Sequence, residues 1–445
     1  MKMFTVVALV LASVMPLSAM TQDKVFPYKY STDDLPNGLR LITVPTDFPN
    51  TVALYIVVNT GSRNEVEEGK SGFAHLFEHL MFRGTDRFSA AKYGEALKNA
   101  GADSNAYTTD DRTVYHTVFS KEDLEQIMML EADRFQNLKV PEELFKTETR
   151  AVLGEYNKNA ANPINKLFEV LRDTAFEKHT YKHTTMGFLR DVENMPNTYE
   201  YSLEFFKRYY RPEYTTIIVA GDVKHENVSS LVKKYWSDWK RGSYVPEIPR
   251  EAEQAKEKTA NVQWPASTLP WVAVAYRGPA FSDEQKDMPT MDLIGNLGFS
   301  ETSELYQRLV IKEQKVDALF ASFDDRLDPY LLTVMARVKD AKDMEYVKGE
   351  IIKTLDSFKT ARVAKEKLEA VKSNLRYSFA LSLNNTEAIA SNLAPYIALR
   401  RTPEAINKIY AVYASITPED IQEMAKKYFV DTHRTIVTLS HKEVS

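Results

Sequence analysis

The chain has 445 residues, of which 44% are hydrophobic and 27% are charged, and its formal net charge is −5. A chain of this length exceeds what one hydrophobic core usually serves, so we expect at least two domains. The slightly acidic balance disfavours a nucleic-acid-binding surface, and the cysteine-free sequence excludes disulfides, thiol catalysis and lipid attachment at an N-terminal cysteine.

The N-terminus has the pattern of a secretory signal peptide. Lys2 precedes an apolar run that ends at Leu17, and the small residues Ser18 and Ala19 follow. The run is too short for an ordinary membrane span, so we predict a signal peptide over residues 1–19 and an exported, periplasmic or secreted, bacterial protein. An uncleaved membrane anchor is the alternative. No other stretch approaches 18 consecutive apolar residues, which predicts no membrane span in the mature chain.

The first half of the sequence, residues 26–239, alternates strand and helix signals. Asn37-Gly38 between apolar residues is typical of a hairpin turn, and Gly84 and Gly101 mark helix ends. The β-branched run TVALYIVVN predicts a buried strand. Predicted strands and hairpins cover residues 41–44, 51–59, 105–119 and 215–221, and predicted helices cover residues 68–83, 92–100, 121–138 and 142–158.

Residues 240–260 are predicted to be a linker, because charged residues, Pro246 and Pro249 replace the apolar pattern there. Residues 261–445 then repeat the order of the first half. Strands are predicted at 271–276, 318–323, 331–338 and 435–439, and helices within 287–312 and 344–410. The sequence therefore predicts an α+β protein with two similar halves, each a mostly antiparallel sheet packed with helices.

The stretch His75-Leu76-Phe77-Glu78-His79 lies in a predicted helix of the first half. A spacing of four residues puts both imidazoles on one helix face, one turn apart, where they can bind a single metal ion. The order H-x-x-E-H is the inverted form of the zinc-peptidase motif. An incidental pair of surface histidines is the alternative.

A catalytic zinc ion needs a third protein ligand and a place for water. Glu155 is the best candidate, and Glu148 lies seven residues earlier on the same helix face. We assign Glu155 as the ligand and Glu148 as its support, although spacing alone does not decide between them. Glu78 is expected to act as the catalytic base, taking a proton from the attacking water and delivering it to the leaving nitrogen.

The other histidines show no metal-like spacing that converges with this pair. His116 lies in a strand-like stretch and is expected to be packed. The remaining five are expected at the surface: His179, His183, His225, His433 and His441.

Several segments resemble the pitrilysin/insulinase family, and especially its shorter branch, which includes mitochondrial processing peptidase and its bacterial relatives. Residues 72–85, GFAHLFEHLMFRGT, resemble the family signature, and residues 101–108, GADSNAYT, resemble its Asn-Ala-x-Thr edge strand. Residues 205–212 and 219–222 resemble the end of its first half. The resemblance covers nearly all of the mature chain.

This resemblance implies two homologous halves packed like a clamshell around a closed chamber. It implies a zinc-dependent endopeptidase that cuts peptides or unfolded segments, with Glu155 at the family's spacing for the third ligand, 76 residues after His79. Family substrates add a strand to an edge strand near the zinc. The substrate-binding edge here would be Asn105, Ala106, Tyr107 and Thr108; an ordinary edge strand is the alternative.

One departure from the family matters. Many active members carry an Arg and a Tyr, seven residues apart, that help to stabilise the reacting carbonyl, and the matching positions here are Val310 and Asp317. A shifted register would offer Arg308, but no tyrosine follows it by seven residues. An aspartate would repel a developing oxyanion.

We therefore expect the chain to be the metal-bearing subunit of a two-subunit peptidase, whose homologous partner supplies the Arg/Tyr pair. Two alternatives remain: a non-catalytic structural or binding subunit of a larger complex, and a zinc-binding module without hydrolysis.

Overall fold

The computed structural model describes residues 24–441, and the predicted signal peptide lies outside these residues. Eleven strands form two mixed sheets. The strands are β1 (Ser31–Asp34), β2 (Arg40–Pro45), β3 (Thr51–Val58), β4 (Asp103–Thr108), β5 (Thr113–Ser120), β6 (Thr215–Gly221), β7 (Lys258–Trp264), β8 (Trp271–Arg277), β9 (Val316–Phe323), β10 (Leu331–Val338) and β11 (Arg434–His441).

Helices connect the strands and cover the sheets. They are α1 (Phe73–Leu80), α2 (Ala90–Asn99), α3 (Leu124–Asn137), α4 (Glu142–Ala160), α5 (Pro163–Ala175), α6 (Leu189–Asn194), α7 (Tyr199–Tyr209), α8 (His225–Trp236), α9 (Asp287–Phe299), α10 (Glu304–Tyr306, continued by a π-helical turn over Gln307–Lys312), α11 (Met344–Thr360), α12 (Lys365–Ser382), α13 (Thr386–Arg400), α14 (Glu404–Ser415) and α15 (Pro418–Tyr428). Within residues 24–441, no helix has both the length and the apolar character needed to cross a membrane.

The two sheets have the same topology. The first has the strand order β1-β2-β6-β3-β5-β4 and the second β7-β11-β8-β10-β9, so the second repeats the first without β1. Each sheet contains one parallel pair, β2 with β6 and β7 with β11, and all its other pairs are antiparallel. The predicted α+β fold with two homologous, mostly antiparallel halves is confirmed.

The first sheet is covered from both halves of the sequence. Strand β3 alternates its side chains between two faces, as a pleated strand must. Leu54 and Ile56 pack on helices of the first half, whereas Tyr55 and Val57 pack on Leu393 of α13, a helix of the second half.

The second sheet shows the reciprocal arrangement. Val272 and Val274 of β8 pack on α9, α11 and α15 of their own half, whereas Ala273 on the opposite face meets Leu167 and Leu171 of α5. Each half therefore contributes one helix to the core of the other.

Several element boundaries differ from the sequence-based predictions, and three of them have a clear local cause or affect the predicted linker. The helix predicted over 68–83 begins only at Phe73, because Gly72 adopts a left-handed backbone with φ 94°. The helical stretch predicted over 287–312 is interrupted at residues 300–303, where the Ser303 side chain caps a new turn. Strand β7 begins at Lys258, within the predicted linker.

The rest of the predicted linker is extended, and its side chains form hydrogen bonds with both halves. The Glu251 carboxylate accepts three backbone N–H groups at 2.8 Å, from Glu177, Lys178 and His179. The Gln254 amide donates to the Thr432 carbonyl at 2.9 Å. The connection between the halves is therefore fixed to both of them.

Candidate functional site

Helices α1 and α4 pack against each other and bring three metal-ligating side chains together. The Nε2 atoms of His75 and His79 lie 3.6 Å and 3.3 Å from Glu155 Oε2, and the two imidazole centroids are 4.9 Å apart. One donor atom from each residue lies within 4.8 Å of the others. Among residues 24–441, this is the only group of three or more His, Asp or Glu side chains with that geometry.

The protonation state of His75 suits metal binding. The side chain is 8% exposed, and burial, reinforced by the neighbouring His79, lowers the pKa of His75 to about 4. The imidazole is therefore neutral at physiological pH, the form that binds metals. Its Nδ1 atom is buried without a hydrogen-bond partner among the described residues. Two imidazole nitrogens and one carboxylate oxygen are a donor set that zinc accepts in catalytic sites.

Glu148 occupies a different position from Glu155, although both belong to α4. Glu148 is 3% exposed and its Oε2 is 4.0 Å from Nδ1 of His79, beyond hydrogen-bond distance. Its carboxylate forms an ion pair with Arg83, in which Oε1 lies 2.8 Å from Nε and Oε2 accepts a hydrogen bond from Nη2 at 2.9 Å. The geometry thus separates the two glutamates: Glu155 meets both imidazoles, and Glu148 binds Arg83 behind His79.

Arg83 was not identified from the sequence as part of this region. The available signal was its position four residues after His79 in the helix predicted over 68–83, a spacing that puts two residues on one helix face. A buried carboxylate such as Glu148 also requires a partner of opposite charge.

Glu78 is held next to the edge strand β4. The Thr108 hydroxyl donates a hydrogen bond to Glu78 Oε2 at 2.6 Å. Burial raises the pKa of Glu78, and the hydrogen bond from Thr108 acts in the opposite direction. A carboxylate whose pKa is raised toward neutrality is a better proton acceptor for general base catalysis.

Strand β4 ends the first sheet, and among the described residues only β5 pairs with it. The Thr109 amide donates to the Arg112 carbonyl at 2.8 Å next to the hairpin turn, so the alternate residues Ala106 and Thr108 direct their amides to the free edge. The Ala106 amide donates to Asn105 Oδ1 at 2.8 Å. The structure therefore places the predicted substrate edge, residues 105–108, beside α1, with the outward amide of Ala106 bound to the Asn105 side chain.

The residues at the Arg and Tyr positions of the second half interact within that half. Val310 is partly buried and packs on the core of the second half. Asp317 forms an ion pair with Arg337 at 2.7 Å. Arg308, the alternative in a shifted register, is paired with Glu350.

Two predictions about histidines were wrong. His179 and His183 are each 4% exposed rather than at the surface. His179 Nε2 lies 3.0 Å from Asp328 of the second half, so this segment lies at the contact between the halves, which local sequence cannot reveal. His116 stacks on Tyr55 with ring centroids 4.9 Å apart, as its predicted packing required. The other three are partly or fully exposed: His225, His433 and His441.

The site has the arrangement of H-x-x-E-H zinc peptidases: two imidazoles one helical turn apart, a carboxylate from a second helix and a neighbouring glutamate. Comparison with known proteins gives the same class. The profile described as Insulinase (Peptidase family M16) matches residues 40–188, and the profile described as Peptidase M16 inactive domain matches residues 197–375. The chain belongs to peptidase family M16, the pitrilysin/insulinase family.

Its relatives include named zinc proteases. The chain is 29% identical over 417 residues to zinc protease PqqE of Helicobacter pylori, covering 92% of this chain and 93% of that protein. It is 27% identical over 412 residues to a probable mitochondrial-processing peptidase subunit beta of Arabidopsis thaliana, covering 89% and 76%. The crystal structure of a protease from Helicobacter pylori is similar, with a TM-score of 0.87, 28% identity and coverage of 93% and 99%.

Proposed function

We propose that this chain is a zinc-dependent endopeptidase in which His75, His79 and Glu155 hold the metal. The observation that carries the proposal is the convergence of these three side chains beside Glu78 and a free sheet edge. A zinc ion in this position supplies Lewis acidity to the scissile carbonyl and lowers the pKa of the attacking water.

The chain's own residues supply substrate alignment and proton transfer. A peptide lying along β4 extends the sheet by backbone hydrogen bonds, which fix the chain direction with loose sequence preference. The peptide displaces the Asn105 side chain, since Asn105 Oδ1 occupies the outward amide of Ala106. Glu78 takes the proton from the attacking water and returns it to the leaving nitrogen.

The first test separates metal binding from catalysis. Purified without added metal, the chain should contain about one equivalent of zinc. Glu78→Gln should retain that zinc and, in the subunit mixture that cleaves a quenched peptide, lose about 10²–10⁴-fold in activity, because only the proton acceptor is removed. Glu155→Gln, the matched control, should lose zinc as well. Unchanged cleavage by Glu78→Gln would reject the role of Glu78 as base.

We further propose that the active enzyme contains a second, homologous subunit and encloses its substrate in a chamber. The support is the second half of this chain, where Val310 and Asp317 occupy the Arg and Tyr positions. Asp317 is paired with Arg337, and a negative charge cannot stabilise an oxyanion. The partner subunit would supply an Arg/Tyr pair, and the chamber would admit peptides or unfolded segments but exclude folded proteins.

The two-subunit proposal is tested by assaying the chain alone and with homologous chains that lack H-x-x-E-H. Activity should appear only in the mixture and should be lost when the partner's Arg or Tyr is replaced. Full turnover by the isolated chain would contradict the proposal while leaving the zinc site intact.

A non-catalytic structural or binding subunit is the second candidate function. It is favoured by the departure from the family's Arg/Tyr pair, since Val310 and Asp317 stand at those two positions. Stoichiometric zinc together with a Glu78-dependent activity would exclude it. A chain that joins a complex and binds no zinc would support it instead.

We propose a periplasmic or secreted location, supported by the signal-peptide pattern of residues 1–19. N-terminal sequencing of the protein from the periplasmic fraction should begin at Met20. A chain that retains Met1 and stays with the membrane would favour the anchor instead.

A further inference from the structure

Helix α1 carries both histidines within eight residues and does not cap its own N-terminus. Gly72 precedes the helix, offers no side chain, and no acidic residue lies in the first turn. The first amides of a helix have no acceptor inside the helix. A helix this short is also marginal without outside contacts. The orientation of His75 in the first turn therefore depends on groups outside α1.

Glu65, seven residues before Gly72, supplies the missing acceptors. Its Oε2 accepts the Gly72 amide and its Oε1 accepts the Ala74 amide, both at 2.7 Å. Glu65 is 3% exposed, so these hydrogen bonds are shielded from water. A carboxylate at this end also complements the positive end of the helix dipole. Both oxygens thus bind amides directly adjacent to the turn that carries His75.

Ser71, the residue before Gly72, is fixed by a second carboxylate. Asp191 Oδ2 accepts the Ser71 hydroxyl at 2.5 Å, and Ser71 Oγ in turn accepts the Phe188 amide at 2.8 Å. A Cβ atom at Gly187 would lie 2.7 Å from the Ser71 backbone, so this segment touches the chain just before α1. The start of α1 is therefore enclosed on two sides.

The surroundings of Glu65 contain one titratable imidazole and two further acids. His183 Nδ1 lies 3.6 Å from Glu65 Oε2, and burial lowers the pKa of His183 to about 4, so it is neutral. Burial raises the pKa of Glu65, with smaller contributions from Asp110 and Asp191, while the two amide hydrogen bonds oppose that rise. No cationic side chain is within ion-pair distance of Glu65 among the described residues except His183 if protonated. The backbone amides of α1 are therefore its principal partners.

We propose that Glu65 is a positioning residue of the metal centre: by binding the amides of Gly72 and Ala74 it fixes the first turn of α1 and thereby the direction of the His75 imidazole. The consequence for metal affinity rests on the proposed zinc site, whereas the two hydrogen bonds from Gly72 and Ala74 to Glu65 do not. Groups that orient metal ligands from outside the ligand set contribute about 10–100-fold in affinity in other sites.

The test compares Glu65→Gln with the control Glu67→Gln in the full-length mature chain. Gln keeps the size of the side chain but presents an NH₂ group to one of the two amide donors. Glu67 is a carboxylate two residues away that binds Tyr201 and Arg208 and touches neither amide. Zinc affinity is measured by competition with a chromogenic chelator, and amide exchange at Gly72 and Ala74 is measured on metal-free protein.

Glu65→Gln should weaken zinc binding by about tenfold or more and speed exchange at both amides by about tenfold, whereas Glu67→Gln should change neither. If Glu65→Gln does not fold, Glu65→Asp, which keeps the charge but is one methylene shorter, should show the same two effects. A folded variant with unchanged zinc affinity and unchanged exchange overturns the proposal. If the wild-type chain binds no zinc, the proposed function fails. Amide exchange at Gly72 and Ala74 alone then decides whether Glu65 fixes the first turn of α1.

Discussion

At the scale of single residues, the candidate site is ordered by carboxylates with separate partners, and two of them, Glu65 and Glu148, are buried. Glu155 meets the two imidazoles, Glu78 meets Thr108, Glu148 meets Arg83, and Glu65 meets backbone amides. A buried carboxylate without such a partner would be strongly destabilising. Each carboxylate therefore has its own partner, which explains how several acidic side chains can lie close to one metal position.

Arg83 offers a direct test of this division. Arg83→Leu leaves the buried Glu148 without its ion pair and its hydrogen bond, and we expect the free energy of unfolding to fall by roughly 1–3 kcal/mol. Arg83→Lys keeps the positive charge but has one nitrogen instead of the two that contact Glu148. We therefore expect an intermediate loss of unfolding free energy. Urea denaturation of the metal-free protein measures both. Equal stability of Arg83→Leu and wild type would show that the Arg83–Glu148 pair has no net effect.

At the scale of elements, the sequence identified those whose signals are local. The Asn-Gly turn predicted the β1–β2 hairpin, and the H-x-x-E-H spacing placed both imidazoles on one face of α1. Strand β7, with alternating partly exposed residues and no apolar run, gave no such signal. The hydrogen bonds from α1 to Glu65 and the ion pair between Arg83 and Glu148 were also not predicted, because each is a tertiary contact that sequence spacing does not encode.

The helix that follows β8 shows why the second half has no metal motif. Helix α9 takes the place of α1 between the equivalent strands, and its sequence DLIGNLGF aligns with HLFEHLMF on two leucines and a phenylalanine. Asp292, Gly295 and Asn296 then stand at the positions of His75, Glu78 and His79, a set with one carboxylate and no imidazole. Asp292 instead accepts a hydrogen bond from Tyr413 at 2.8 Å.

The acids near α9 predict a pH-dependent stability. Burial, with a contribution from Asp292, raises the pKa of Asp325 to about 7 from 3.8, and burial raises that of Asp292 to about 6. The folded state holds these protons more tightly than the unfolded state, so the free energy of unfolding should fall as pH rises from about 4 to about 7. Below about pH 4 both groups are protonated in the folded and the unfolded state. The free energy of unfolding then no longer changes with the titration of these two groups, and their contribution to stability is fully present.

Asp325→Asn removes one of these titrations. The variant should be more stable than wild type at pH 8 by roughly 1–3 kcal/mol and equally stable near pH 4, as read from urea denaturation across pH. Asp86→Asn, at an exposed carboxylate of the first half, is the control and should leave the pH dependence unchanged. A wild-type advantage at pH 8 would contradict the sign of this prediction.

At the scale of the whole molecule, the exchanged helices α5 and α13 make the halves mutually dependent. Polar contacts between the halves add to this exchange. Arg401 of the second half donates to the carbonyls of Glu213 at 2.7 Å and Gly38 at 2.9 Å in the first half. Arg326 pairs with the buried Asp110 at 3.0 Å. The sequence predicted two halves from their repeated order but not this exchange, because a helix pattern does not specify which sheet the helix covers.

A break in the linker should therefore leave the molecule assembled. Val245 is 77% exposed, so a protease site inserted there can be cut without touching either core. The cut chain should elute in gel filtration as one species of unchanged size, because Leu393 and its neighbours in α13 stay buried on the first sheet, and Leu167 and Leu171 of α5 stay buried on the second. The fragments should separate only in denaturant, with the uncut variant as control. Elution of two independent, folded fragments in native buffer would show that each sheet is stable without the helix it receives.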